Sequence, residues 1–186
     1  MGTLRVTCAV VALLFGSVTT SFVGAEPAPT KDVRSQLNDY LFDAARAGRT
    51  DMLQEFVRSK YDLDVRDDHG YTALIFAAYH GNEPAVDLLL QAGANPCAKD
   101  NRGNTALMGA IFKGEVAIAR KLIAADCAAD QKNSAGQTPA MYAALFGRVE
   151  LLDELAARGA DLDTTDVDGN SAKSLARGEI RVKASR

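Results

Sequence analysis

The chain has 186 residues, with 21 Lys+Arg against 24 Asp+Glu and a formal net charge of −3. That balance excludes the broad basic surface that a nucleic-acid or anionic-membrane partner requires. A 47% hydrophobic and 24% charged composition suits one folded domain or a short repeat array.

The N-terminus reads as an export signal. Arg5 supplies a positive n-region, Cys8–Phe15 a compact apolar h-region, and Val23-Gly24-Ala25 the small residues that a signal peptidase reads. Cleavage is predicted before Glu26, so residues 1–25 are a cleaved signal peptide. An uncleaved anchor is disfavoured, because Thr7, Ser17, Thr19, Thr20 and Ser21 break an apolar run that falls short of about 20 residues. Cys8 opens the h-region rather than following it, and so cannot be a lipoprotein cysteine. The mature chain keeps 161 of the 186 residues and is expected in the periplasm or secreted, with no membrane association. Residues 26–32 form a tether in which Pro27 and Pro29 forbid helix.

Beyond the tether the chain repeats. Gly70, Gly103, Gly136 and Gly169 are spaced by 33 residues. Thr72, Thr105, Thr138 and Ser171 stand two residues after each glycine, and Ala77, Ala110, Ala143 and Ala176 seven after. Gly81, Gly114 and Gly147 follow at eleven, and the last two columns extend back to Ala44 and Gly48. Each unit predicts a short apolar helix stopped by glycine, then a second helix. The second helices carry Leu53, Phe56 and Val57, then Val86, Leu89 and Leu90, then Ala119, Leu122 and Ile123, then Leu152, Leu155 and Ala156. The repeated alanines mark helix contacts that a larger side chain would overpack. One such pair cannot bury its own apolar face, but stacked neighbours can.

Gly-Tyr-Thr-Ala-Leu (70–74), Gly-Asn-Thr-Ala-Leu (103–107) and Gly-Gln-Thr-Pro-Ala (136–140), with Gly93-Ala94-Asn95 and Gly159-Ala160-Asp161 as unit ends, resemble the ankyrin family in period and motif. With its signal peptide, the chain is similar to exported bacterial ankyrin-repeat proteins. The resemblance implies an all-α solenoid of stacked helix pairs with β-hairpin tips over 33–178, three full repeats between two partial caps, and a basic tail at 179–186. Tips are expected at 63–70, 96–103, 129–136 and 162–169, with Asp67, Asp100, Asn133 and Asp166 in register. The family histidine is replaced by Ile75, Met108 and Met141, and Asp126-Cys127-Ala128 replaces Gly-Ala-Asp, which predicts an altered turn there.

No catalytic cluster emerges. The two histidines, His69 and His80, sit in no metal-site pattern, and the glycines follow the repeat rather than a phosphate loop. Asp166-Val167-Asp168-Gly169 echoes a calcium loop, but the other ligands are missing, and turn capping explains the aspartates. No enzyme activity, cofactor or metal is expected. The mature cysteines, Cys97 and Cys127, could pair as a disulfide or remain two small buried thiols.

The resemblance further implies that a partner protein binds at the hairpin tips and the concave inner helices. Those columns hold Asp68, His69, Tyr71, Tyr79 and His80 in one unit, Arg102, Asn104, Phe112 and Lys113 in the next, and Leu145 and Phe146 in the third. Asn101, Ser134, Gln137 and Arg46 fall beside them. Aromatics among cations are the composition of an interface hot spot; the competing reading has Phe112 and Phe146 filling gaps between repeats. The expectation is a monomeric periplasmic adaptor that holds or protects one protein. By family analogy that partner is an oxidative-stress enzyme such as catalase. Two alternatives are an immunity protein against a periplasm-targeted lipase or peptidoglycan hydrolase, and a secreted host-directed effector.

Overall fold

The computed structural model describes residues 32–125 and 127–182. The predicted signal peptide, the tether except Asp32, Asp126 and the last four residues of the tail lie outside them. The described residues form nine helices: α1 (Val33–Ala47), α2 (Thr50–Arg58), α3 (Ala73–Tyr79), α4 (Glu83–Gln91), α5 (Ala106–Lys113), α6 (Val116–Ala124), α7 (Pro139–Leu145), α8 (Val149–Ala157) and α9 (Ala172–Ala176). The odd-numbered helices pack on one another as an inner row, and α2, α4, α6 and α8 form an outer row.

Local chemistry sets each unit. Thr72, Thr105, Thr138 and Ser171 are extended N-caps whose side chains accept the backbone N–H three residues on, which satisfies a donor the helix would otherwise leave open. Pro139 stands in the first turn of α7, where no N–H is needed. Of the predicted columns, Leu53, Phe56, Val86, Leu89, Ala119, Leu122, Ile123 and Leu155 are buried and Val57, Leu90, Leu152 and Ala156 are half-buried, while Leu74, Met108, Ile111, Ile118, Met141 and Leu151 complete the core. Met108 and Met141 occupy the family's histidine column as packing residues. Ala44, Ala77, Ala110 and Ala143 are buried between inner helices, as expected, but Ala176 is exposed. Among the described residues no inner helix packs on α9, and that column stays uncovered. Ala110→Leu is expected to cost about 2 kcal/mol by overpacking, read as a lower denaturation midpoint at unchanged slope.

The expected β-hairpins are narrower than the resemblance implies. Among the described residues there is no strand, only the isolated bridges Lys99–Thr105 and Thr165–Ser171. The physical reason is the side chain at the tip. Asp67, Asp100, Asn133 and Asp166 each accept two backbone N–H groups, two and four residues on, at 2.7–3.0 Å. The same four residues donate their own N–H to the carbonyl four residues on, at 2.8–3.1 Å, so each tip is a hairpin closed by one backbone pair and braced by the side-chain acceptor. Successive tips are then joined by Asn101 N–H to His69 C=O (2.9 Å), Ser134 N–H to Arg102 C=O (2.8 Å) and Val167 N–H to Ala135 C=O (3.0 Å).

Beside the tip that holds Asn170, the described residues place the tail. The buried Asn170 amide donates to Arg181 C=O (2.9 Å) and accepts from Arg181 N–H (2.6 Å). The Arg181 backbone is thereby anchored to the last tip, since a buried amide requires partners, while residues 177–182 remain exposed.

Carboxylates tie the unit-to-unit seams. Asp64 accepts Asn95 N–H at 2.8 Å, and Asp130 accepts Asp161 N–H at 2.9 Å. Cys97 stands midway between Asp64 and Asp130 in this column, and it is bonded to Cys127 with Cα atoms 5.7 Å apart. The covalent link thus replaces the carboxylate hydrogen bond at one seam. The α6 end also differs: its cap, Ala125, is extended, whereas Ala92 after α4 stays helical.

Candidate functional site

The inner helices turn specific side chains toward the open face. A residue two places beyond a packed alanine is rotated by about 200°, so Arg46, Tyr79, Phe112 and Leu145 emerge in register. His80, Lys113 and Phe146 follow one place later. Tyr79 and Phe112 are 39% and 45% exposed, so Phe112 does not fill a gap between repeats. Their rings lie nearly parallel, with centroids 6.1 Å apart and planes 12° apart. The half-buried Phe146 meets Phe112 edge-on at 5.1 Å. The three aromatics form one continuous ladder over three repeats.

Beneath the ladder is a groove of about 380 Å³. Its origin is a single column spaced by 33: Phe76, Gly109, Tyr142. Two aromatics flank a glycine in mid-helix, where glycine costs roughly 0.5–1 kcal/mol relative to alanine. A Cβ on Gly109 would meet Tyr79 Cδ2 at 3.6 Å, an ordinary contact. The packing of the helices therefore does not demand glycine there.

The groove has a polar end. Asn104 Oδ1 accepts from Asn133 Nδ2 (2.9 Å) and from the Tyr142 hydroxyl (3.1 Å), and Asn104 Nδ2 donates to Asp100 Oδ2 (3.1 Å). Asp100 Oδ1 is committed to the N–H groups of Arg102 and Asn104, both at 2.8 Å. This buried carboxylate therefore serves the turn. Burial first, and then Asp100, push the Tyr142 phenol above its ordinary range against the opposing bond from Asn133. It remains a neutral donor.

The rim is cationic. Lys113 Nζ lies 5.1 Å from the Tyr79 ring centre, and Arg46 Cζ lies 4.4 Å from that of Phe76, both within cation–π range. Partial burial, then Arg46, then Lys113 hold the His80 imidazole below its ordinary value.

Of the residues marked in the sequence, Tyr71, Tyr79, His80, Arg102, Asn104 and Phe112 line the groove. Lys113 and Phe146 border it through their ring contacts, and the exposed Leu145 lies outside the lining. Asp68 and His69 sit out on a tip, where their carbonyls take Asn101 Nδ2 (2.8 Å) and Asn101 N–H (2.9 Å). Ser134 and Gln137 serve the tip ladder. Sequence reasoning missed Tyr142, Asp100 and the Phe76–Arg46 pair. The signal for the first was present as an aromatic–glycine–aromatic column at the repeat spacing. Among the described residues no His, Cys, Asp and Glu cluster is placed to hold a metal, and no helix is long and apolar enough to cross a membrane.

Against known proteins, the family model for ankyrin repeats (3 copies) matches residues 23–100, 41–133 and 98–166. The chain is 53% identical over 49 residues to the calmodulin-binding transcription activator CBT of Oryza sativa subsp. japonica, covering 26% of this chain and 5% of that protein. It is 41% identical over 69 residues to the RelA-associated inhibitor of Mus musculus, covering 36% and 8%. Ankyrin repeat domain-containing protein SAT10 of Stachybotrys chartarum matches at 31% over 64 residues, covering 34% and 3%. The chain thus spans less than a tenth of the length of each of these relatives.

Proposed function

The chain belongs to the ankyrin-repeat family, whose repeats are non-catalytic modules that bind other proteins, and from that premise we propose that it is an exported adaptor holding one partner protein in its inner-helix groove. The observation that carries this reading is Gly109. A helix keeps a glycine beneath an exposed aromatic ladder, and the space it leaves is flanked by Phe76 and Tyr142. Grooves lined by aromatics with a few convergent polar groups are where anchors from a partner seat.

Export is supported by the signal-like residues 1–25 and by the Cys97–Cys127 bond, since disulfides persist in oxidising compartments. The partner proposed is a periplasmic protein that benefits from being held, with an oxidative-stress enzyme such as catalase as the first candidate.

The test is a pull-down from periplasmic extract with residues 26–186 as bait. Two variants run beside it: Tyr79→Ala/Phe112→Ala/Phe146→Ala, and Gly109→Leu, which fills the groove while improving helix propensity. Circular dichroism checks that all three baits are folded. One protein captured by the unmodified bait and lost with both variants supports the reading. Retention by both variants would overturn it. Capture of a toxic lipase or peptidoglycan hydrolase would replace the adaptor role with immunity.

A further inference from the structure

The rim of this groove has a sign, and the sign names the chemistry of its occupant. Three consecutive inner helices end in Arg46, His80 and Lys113, each beside an aromatic ring: Arg46 over Phe76, His80 at 5.5 Å from Tyr79, Lys113 over Tyr79. Arg102 lines the opposite, tip side of the groove. Four of the nearby carboxylates are committed. Asp43 pairs with Arg46 at 2.5 Å on the solvent side of α1, and Asp100 is consumed by its own turn. Glu83 and Asp87 of α4 go to Lys121, at 3.1 and 2.6 Å. Glu115 packs its carboxylate against Gly81, just beyond His80.

We propose, on the basis of the adaptor reading above, that the groove takes an acidic polypeptide segment. An apolar side chain of that segment seats over Gly109 on Tyr79 and Phe112, and flanking carboxylates meet Arg46, His80 and Lys113. Charge complementarity selects this occupant over a basic or neutral one. A single-stranded nucleic acid would also use aromatics and cations. It fits less well on a chain of net charge −3 with three cationic groups at the site, because such binding depends on many phosphate contacts.

A consequence follows for pH. In the free protein partial burial, then Arg46 and Lys113, hold His80 below its ordinary value. A carboxylate laid against it raises its proton affinity again. Binding then takes up a proton, and affinity rises as pH falls from 8 toward the value His80 has in the complex. The gain is limited to about tenfold for each pH unit by which binding raises that value.

The probe is a labelled hexapeptide with four carboxylates around Phe-Leu. Its amide and lysine counterparts and a labelled oligothymidine serve as comparisons. All are titrated by fluorescence anisotropy into the protein expressed from the full chain and purified as the cell processes it. The acidic peptide is expected to bind at least about tenfold more tightly than either counterpart at low salt, to weaken as salt rises, and to tighten from pH 8 to pH 5.5. His80→Gln is expected to remove the pH dependence and keep the acidic preference, and Gly109→Leu to abolish binding. Equal or better binding of the amide, lysine or nucleotide probe would overturn the proposal, as would no binding by any peptide or a pH slope that persists in His80→Gln. Amide NMR shifts separate this failure from that of the adaptor reading. If the lysine peptide wins and shifts Tyr79, Gly109 and Phe112, the groove stands and only its sign is wrong. If the shifts fall on the outer helices, both readings fall.

Discussion

Replacing Cys97 and Cys127 together by serine is expected to lower stability by about 3 kcal/mol, which for a domain of this size moves Tm down by roughly 6–12 °C. The bond spans 30 residues in sequence, and most of its effect in the chain-entropy description is to restrict the unfolded state. The structure adds a sharper expectation. Cys97 occupies the column in which Asp64 and Asp130 accept a backbone N–H from the next unit. A Cys97→Asp/Cys127→Ala variant should therefore regain about 1 kcal/mol over the serine pair, by restoring the hydrogen bond that the bond displaced. Thermal melts of the three proteins under one buffer measure both differences. An aspartate variant no more stable than the serine pair would show that the seam cannot re-form that bond.

The second large effect is at Gly103. An alanine there would be strained twice over. Its φ is +79°, and its Cβ would lie 2.9 Å from Asn133 Cα and from Ser134 N. Left-handed backbone costs an alanine about 1–2 kcal/mol, and the clash is with main chain that cannot swing aside. The next tip must move, which breaks the Ser134 N–H bond to Arg102 C=O. Together these are expected to cost about 3 kcal/mol. Gly93→Ala is the control. Its φ is +89°, but nothing lies within 4 Å of the added methyl, so only the conformational part, about 1–2 kcal/mol, is expected. Urea midpoints at a common slope compare the two. Equal losses would mean that the close approach of successive tips does not stabilise the array.

This pair of glycines separates what a repeat pattern carries. Both are periodic, and both read as stops or turns. Only the packed array distinguishes a glycine that the next repeat leans on from one that faces water. The same holds for the alanine column: Ala77, Ala110 and Ala143 are buried because an inner helix follows, and Ala176 is not. The tail illustrates it again. Its composition reads as solvated, yet the Arg181 backbone is pinned by Asn170 because a buried amide needs a partner.

For the candidate site, register was legible and depth was not. Tyr79, Phe112 and Phe146 could be placed on the inner face from the 33-residue spacing and helical periodicity alone. The ring distances, the cations seated on rings and the groove beneath them depend on rotamers and on the absence of a side chain at Gly109, which reads in a linear sequence as one more small helical residue. Tyr142 was overlooked for the same reason: its importance lies in facing that absence.

The sequence by itself determined the period, the caps, the stops and the apolar columns, because each depends on a few neighbouring residues whose conformational preferences are intrinsic. Hence the helix pairs and their order could be written down in advance. Tertiary structure alone decided that Cys97 reaches Cys127 and that a glycine flanked by two aromatics opens a groove under a cationic rim. Those outcomes rest on distances between residues about 30 or more apart in the chain, and such distances exist only once the units have stacked.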